Sequence, residues 1–262
     1  MNSEKTNAGP VRINRFLAQC GLGSRRACER LVEAGKVFVN GRKVSDLGTR
    51  VDPSVDKIEY KGATLEPVRA REYFAYHKPA GPVVTKTGQF GSETIFESIS
   101  NVTDTDLSHL NYAGRLDMDS EGLLILTNDG DLIYRVTHPR FHVKKVYHVK
   151  TTKPLAAADA RVMTGAGVES DGQTLRALSI KPLDGAAEDR EGHWSEIELG
   201  EGRKRHIRRM LEGGGYAVVR LKRVRFGPVR LEGLSPGAIR PLTDREIDAL
   251  RAVGHRIKEA GR

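Results

Sequence analysis

The 262-residue chain is predicted to be an α+β protein in two parts, a small basic module followed by a larger body built on a mixed sheet. Three observations carry that prediction. Up to Lys61, apolar residues recur at helical spacing and then alternate about an Asn-Gly pair. Beyond Arg71, strand and helix signals follow no strict alternation, which argues against a doubly wound parallel sheet. Leu123 to Leu126 form an unbroken apolar run bounded by Gly122 and Asn128-Asp129-Gly130, too short for a helix and suited to a buried strand.

The chain divides by composition into a disordered tail (1–10), the module (11–61), a linker (62–71), the body (72–255) and a C-terminal tail (256–262). In the module, Ile13, Phe16, Leu17 and Cys20 fall on one helical face that stops at Gly21. Ser24 is placed to cap a second helix with Ala27, Leu31 and Val32 inward, Gly35 at its end, and Arg25, Arg26 and Arg30 outward. Val37 to Val44 alternate around Asn40-Gly41, a strong hairpin signal. Pro67 and weak periodicity mark the linker.

In the body, Tyr73 to Lys78 read as an aromatic strand entering a Pro-Gly turn, and Thr85 to Leu107 as a polar loop or short helix. The turn Arg115 to Glu121 sits on the buried strand, a rigid base for a fixed carboxylate. Leu132 and Ile133 suit a helix before His138-Pro139, Lys144 to Lys150 a strand, and Pro154 to Met163 a helix. Ile197 and Leu199 alternate with acids in another strand. A helix after Gly202 must end at Gly213-Gly214-Gly215. In Tyr216 to Phe226 the apolar phase slips between Leu221 and Val224, as a bulge requires. Thr243 and Glu246 make a capping box for a last helix.

Lys plus Arg number 43 against 34 Asp plus Glu, a net charge of +9. Arg203 to Arg230 holds ten basic residues and one acidic, a focus that suits a phosphate-rich partner. Two cysteines, Cys20 and Cys28, indicate neither a disulfide framework nor a zinc site. The polar N-terminus lacks a signal-peptide core and no apolar run is long enough to span a membrane, so a cytoplasmic location is expected.

Arg12 to Ala18, then Gly23-Ser24-Arg25-Arg26, then Gly35 to Gly41 resemble the S4 RNA-binding module in order and spacing. That resemblance implies docking on folded RNA through phosphates and shape, with Arg25, Arg26, Arg30 and Lys43 as contacts. Gly114-Arg115-Leu116-Asp117 and the run from Gly122 to Gly130 resemble the signature of pseudouridine synthases, and Leu126-Thr127-Asn128-Asp129-Gly130 is similar to the RsuA/RluB branch. Lys78-Pro79-Ala80-Gly81, Lys145-Val146-Tyr147 and the stretch from Glu201 to Met210 match that branch in order, with His206 where many relatives have Gln.

The resemblance implies a mixed, mainly antiparallel sheet and isomerisation of uridine in ribosomal RNA, large-subunit RNA favoured, by a cofactor-free and metal-free monomer. It nominates Asp117 as the reacting carboxylate, Tyr147 as the platform for a flipped base, and Arg208 as the cation salt-bridged to Asp117. Arg115 is expected beside the vacated base or on phosphate. Lys78, Lys145, Arg203, Arg205 and Arg209, the cations of the shared motifs, are expected to contact RNA. A non-catalytic RNA-binding assembly factor, or a tRNA-modifying relative, is the competing reading. Asp117, Asp119 and Glu121 mimic the start of a calcium loop, but its twelfth position is Asn128, so the metal reading is rejected.

Overall fold

A computed structural model describes residues 9–67, 71–88, 91–183 and 192–253, in two compact units, Met1–Arg71 and Glu72–Arg262. Of the expected tails at 1–10 and 256–262, residues 1–8 and 256–262 lie outside the described residues.

The first unit runs β1 (Val11–Arg12), α1 (Ile13–Gln19), α2 (Arg25–Glu33), β2 (Val37–Val39), β3 (Arg42–Val44), β4 (Arg50–Val51), β5 (Ile58–Tyr60) and β6 (Ala63–Thr64). Its core joins Ile13, Phe16 and Leu17 of α1 to Cys28 and Val32 of α2, under Val37, Val51 and Ile58. The Ser24 hydroxyl accepts from the Ala27 amide at 3.2 Å, as a cap should. Cys28 rather than Ala27 is fully buried on the inner face. Burial, with Cys28 beside it, pushes the Cys20 thiol up to about 12, which keeps it unreactive. Asn40 and Gly41 both take positive φ, 51° and 76°, matching the right-handed twist of the β2–β3 hairpin. The stretch expected as a linker instead begins with structure. Lys61 and Gly62 repeat that positive-φ turn, and β6 pairs with β5.

The second unit runs β7 (Tyr73–Lys78), α3 (Ile95–Ser100), β8 (Asn111–Ala113), β9 (Glu121–Thr127), α4 (Gly130–Thr137), a 3-10 turn (Pro139–Phe141), β10 (Lys145–Thr151), α5 (Ala157–Thr164), β11 (Val168–Ser170), β12 (Gln173–Leu175), β13 (Ser179–Pro182), β14 (His193–Leu199), α6 (His206–Gly213), β15 (Val218–Phe226), β16 (Val229–Arg230), β17 (Ile239–Pro241) and α7 (Asp244–Ala252). Among the described residues the main sheet has the order β13-β14-β10-β15-β9-β7-β17, with β8 on β9 and β16 on β15. Its pairs are antiparallel except β15–β9, where Lys222 and Arg223 lie beside Glu121 and Gly122.

Every residue of β9 is buried because both sheet faces are covered. Leu124 and Leu126 share a core with Tyr147, Ile197, Ile207 and Met210, whereas Leu123 and Ile125 share another with Leu132, Phe226 and Leu250. Gly122 makes the parallel junction possible. At φ 109°, any Cβ there would stand 2.3 Å from the Arg223 carbonyl oxygen. Two irregularities bend β15 against β10: partners step from Arg225 to Arg223 past Val224, where the sequence predicts a bulge, and from Arg220 to Val218 past Val219. The capping box at Thr243 and Glu246 forms, and a second, at Thr94 and Glu97, starts α3.

Candidate active site

The turn between β8 and β9 opens at Gly114, φ 74°, and closes where the Ser120 amide donates to the Asp117 carbonyl at 3.1 Å. Leu116 points into the core shared with Tyr147, Asp117 is half-buried, and Met118 and Asp119 are exposed. Three cations from distant parts of the unit clamp this turn by its backbone.

Lys78 is the first. Its ammonium donates to the carbonyls of Ser120 at 2.8 Å, Pro79 at 2.9 Å and Met118 at 3.4 Å, and the Gly81 amide donates to the Met118 carbonyl at 2.8 Å. Lys78 is 0% exposed, so it cannot be the RNA contact expected of it; its stem continues the buried run of β7. Burial pulls its pKa down to about 8, against the opposing pull of Asp119, Asp117 and Glu121. Lys78 is thus a cation felt by Asp117.

Arg208, buried on α6, is the second. Its Nη2 donates to the Asp119 carbonyl at 3.0 Å and lies 3.1 Å from Asp119 Oδ2, while Nη1 donates to the Val218 carbonyl at 3.2 Å. The expected salt bridge between Arg208 and Asp117 is therefore not formed. Asp119, two residues further round the turn, presents both a carbonyl and a carboxylate to the same nitrogen, and Asp117 offers no such pair. Arg205, which caps α6 with φ 49°, adds Nη1 at 3.4 Å from the same Asp119 oxygen. The Asp117 carboxylate makes no hydrogen bond or ion pair to a described residue, which leaves its oxygens free for a ligand.

Arg223 on β15 is the third, and sequence reasoning missed it. Its Nε donates to the Leu123 carbonyl at 2.7 Å and Nη1 to the Arg115 carbonyl at 3.5 Å, so it grips the turn at both ends; Nη2 has no partner among the described residues. Its guanidinium lies over Phe226 at 5.0 Å, and Lys145 lies over the same ring at 5.4 Å. Burial first, then the Arg223 charge, bring Lys145 down to about 8. Lys145 is a buried residue on the inner sheet and not the surface RNA contact expected.

Tyr147 is 8% exposed, with Ile197 and Arg223 as its strand partners. Its hydroxyl has no hydrogen bond to a described residue. The remaining expected cations divide. Arg115 is exposed, its guanidinium unpaired among the described residues, whereas Arg203 pairs with Glu201 at 2.9 Å and Arg209 bonds Ser170 and Asp171, both at 3.2 Å. Those bonds tie Arg209 to the β11–β12 hairpin instead of to solvent. His206, in doubt from sequence, is buried; burial lowers its pKa, and as a neutral ring Nε2 donates to the Arg176 carbonyl at 3.1 Å. In the first unit Arg25, Arg26, Arg30 and Lys43 are exposed and lack acidic partners among the described residues.

A basic helix-and-hairpin module ahead of a body whose half-buried aspartate sits on a turn clamped by three buried cations fits an RNA-modifying enzyme. Residues 72–213 match the RNA pseudouridylate synthase family and residues 11–56 the S4 domain. A relative from Aquifex aeolicus (strain VF5), described as an uncharacterised RNA pseudouridine synthase, is 38% identical over 258 residues, covering 93% of this chain and 95% of its own. The protein of Bacillus subtilis (strain 168) described as ribosomal large subunit pseudouridine synthase B is 34% identical, covering 95% of this chain and 99% of its own. A solved structure described as a pseudouridylate synthase matches with TM-score 0.63 and 28% identity over 92% of this chain and 99% of its own. The chain belongs to the RNA pseudouridylate synthase family.

Proposed function

We propose that this enzyme converts a specific uridine of large-subunit ribosomal RNA into pseudouridine in the cytoplasm, as a monomer, with Asp117 as the reacting carboxylate. One observation carries the assignment of Asp117: its half-buried carboxylate makes no hydrogen bond to a described residue, on a turn held by three buried cations through neighbouring backbone atoms. A carboxylate neutralised at a distance keeps its lone pairs available to the sugar or the ring. The reaction breaks the bond from C1′ to N1, forms one from C1′ to C5, takes the proton from C5 and leaves one on N1. It is redox-neutral and balances without a co-reactant.

A target uridine in folded RNA must leave its stack, at a cost of a few kcal/mol. Tyr147, in the same apolar core as Leu116, is the stacking partner, and Arg115, whose guanidinium has no partner among the described residues, contacts phosphate or the vacated position. Arg208 and Arg223 are positioning residues. The likeness to the Bacillus subtilis relative supports the large-subunit substrate, and no described helix is long and apolar enough to cross a membrane.

The test is tritium release from C5-labelled uridine in ribosomal RNA, with the site mapped on the product. Wild type should release tritium and Asp117→Asn should not. Equal release from both would remove Asp117 from the chemistry, and tight binding without release from wild type would leave an RNA-binding assembly factor.

A further inference from the structure

The aspartate turn has a neighbour with no role in the reaction described above. The C-terminal end of α4 returns to it, and a Cβ built at Gly114 would lie 3.7 Å from Thr137 Cγ2. Around Thr137, the rings of Tyr134, His138 and Phe141 cluster with centroids 4.9 Å, 6.0 Å and 6.3 Å apart. Ring clusters of this kind usually lie in cores. Here Tyr134 is 46% exposed, His138 is exposed and Phe141 is half-buried. The Arg140 guanidinium lies 4.4 Å from the Phe141 centroid and 5.1 Å from that of Tyr134, with no acidic partner among the described residues. His138 Nδ1 accepts from the Arg140 amide at 3.2 Å, so the neutral ring carries its proton on Nε2 as a spare donor.

We infer that this cluster is a stacking platform for unpaired nucleotides flanking the target uridine. The inference rests on the proposed RNA substrate. Aromatic faces stack on any base, and a guanidinium spread over them serves both a base plane and a phosphate. An arginine left without a carboxylate, beside rings left in water, fits a polyanion that also offers flat apolar faces. The placement agrees: Gly114 lies three residues before Asp117, at most about 10 Å of chain. RNA that presents one base to Asp117 therefore passes within reach of these rings.

The experiment measures binding and turnover of one ribosomal RNA fragment by wild type, Tyr134→Ala, Tyr134→Phe and Arg140→Ala at fixed salt. These are surface side chains, and circular dichroism checks that each variant folds. Tyr134→Ala should raise both Kd and KM about fivefold to a hundredfold, and Tyr134→Phe should restore them, because stacking needs the ring and not the hydroxyl. A photoreactive uridine beside the target should cross-link to the 134–141 segment in wild type and lose that adduct in Tyr134→Ala. Unchanged Kd and KM in both alanine variants would overturn the platform and leave a protein as the partner of this surface. The two readings fail separately. Wild type that releases no tritium, with affinity still lost in Tyr134→Ala, would sink the isomerase and keep the platform; normal release with unchanged KM in Tyr134→Ala would do the reverse.

Discussion

Arg208 answers to Asp119, and a double-mutant cycle measures this directly. Asp119→Asn removes the charge yet keeps the backbone carbonyl that Arg208 also holds; Arg208→Met removes the guanidinium at similar length. Two unit charges 3.1 Å apart attract by about 1.3 kcal/mol in bulk water and about 5 kcal/mol at an effective dielectric constant near 20. The Asp119 side chain is 45% exposed and that of Arg208 7%, so solvent screening brings the pair toward the lower figure, about 1–2 kcal/mol of coupling. Arg208→Met alone costs more, about 2–4 kcal/mol, since the Asp119 and Val218 carbonyls lose their donor. Loosening the turn by about an ångström should cut turnover roughly a hundredfold. Urea midpoints of the four proteins give the stability coupling, and tritium release gives the catalytic one. Zero coupling between 119 and 208, with clear coupling in a parallel cycle between 117 and 208, would refute the pairing and restore the one expected from sequence.

Three more predictions follow from the clamp and from the RNA surface. Gly122→Ala places a methyl group 2.3 Å from the Arg223 carbonyl at a φ of 109°, so β15 must part from β9; a loss of about 2–5 kcal/mol in chemical denaturation is expected, and a change under about 0.5 kcal/mol would contradict it. Lys78, held near 8 against an ordinary 10.5, releases its proton in the folded protein first, so it adds stability as pH rises through that window. Its attraction for Asp117 fades over the same window, so turnover should decline above about pH 8; Lys78→Met should shrink that alkaline limb, and an unchanged limb would assign it to Lys145, also held at about 8. Neutralising Arg25, Arg26 and Arg30 should weaken RNA binding and flatten its salt dependence by about one unit for each phosphate no longer neutralised, measured by titration at several salt concentrations, and an unchanged slope would place docking elsewhere.

Much of the scaffold was readable because local chemistry dictates it. The run from Leu123 to Leu126 can only be covered on both faces, Asn40-Gly41 can only turn one way, and the phase slip after Leu221 places the irregularity at Val224. The Thr94–Glu97 box was equally visible in residue type but stood in a polar stretch without periodicity to suggest a helix. The site was readable by residue and misread by direction. A lysine or arginine in a motif declares a charge, not the side of the strand it leaves from. Lys78 and Lys145 turn inward because their strands are buried, and Arg223 satisfies backbone carbonyls instead of phosphates. The choice between Asp117 and Asp119 as the partner of Arg208 depends on a turn whose shape is set by α6 and β15, far along the chain.

That remoteness has a consequence in time. The aspartate turn is fastened by Arg208, 89 residues beyond Asp119, and by Arg223, 100 residues beyond Leu123 and 108 beyond Arg115. Chains emerge from the ribosome at about 5–20 residues per second, so for several seconds a nascent polypeptide carries its aspartate without the arginines that fasten the turn. Long-range closure of this kind is the slow part of folding. The S4 unit is translated first and the aspartate turn is fastened only after Arg223 has emerged, so if that turn does the chemistry, the unit suited to RNA exists before the capacity to modify it.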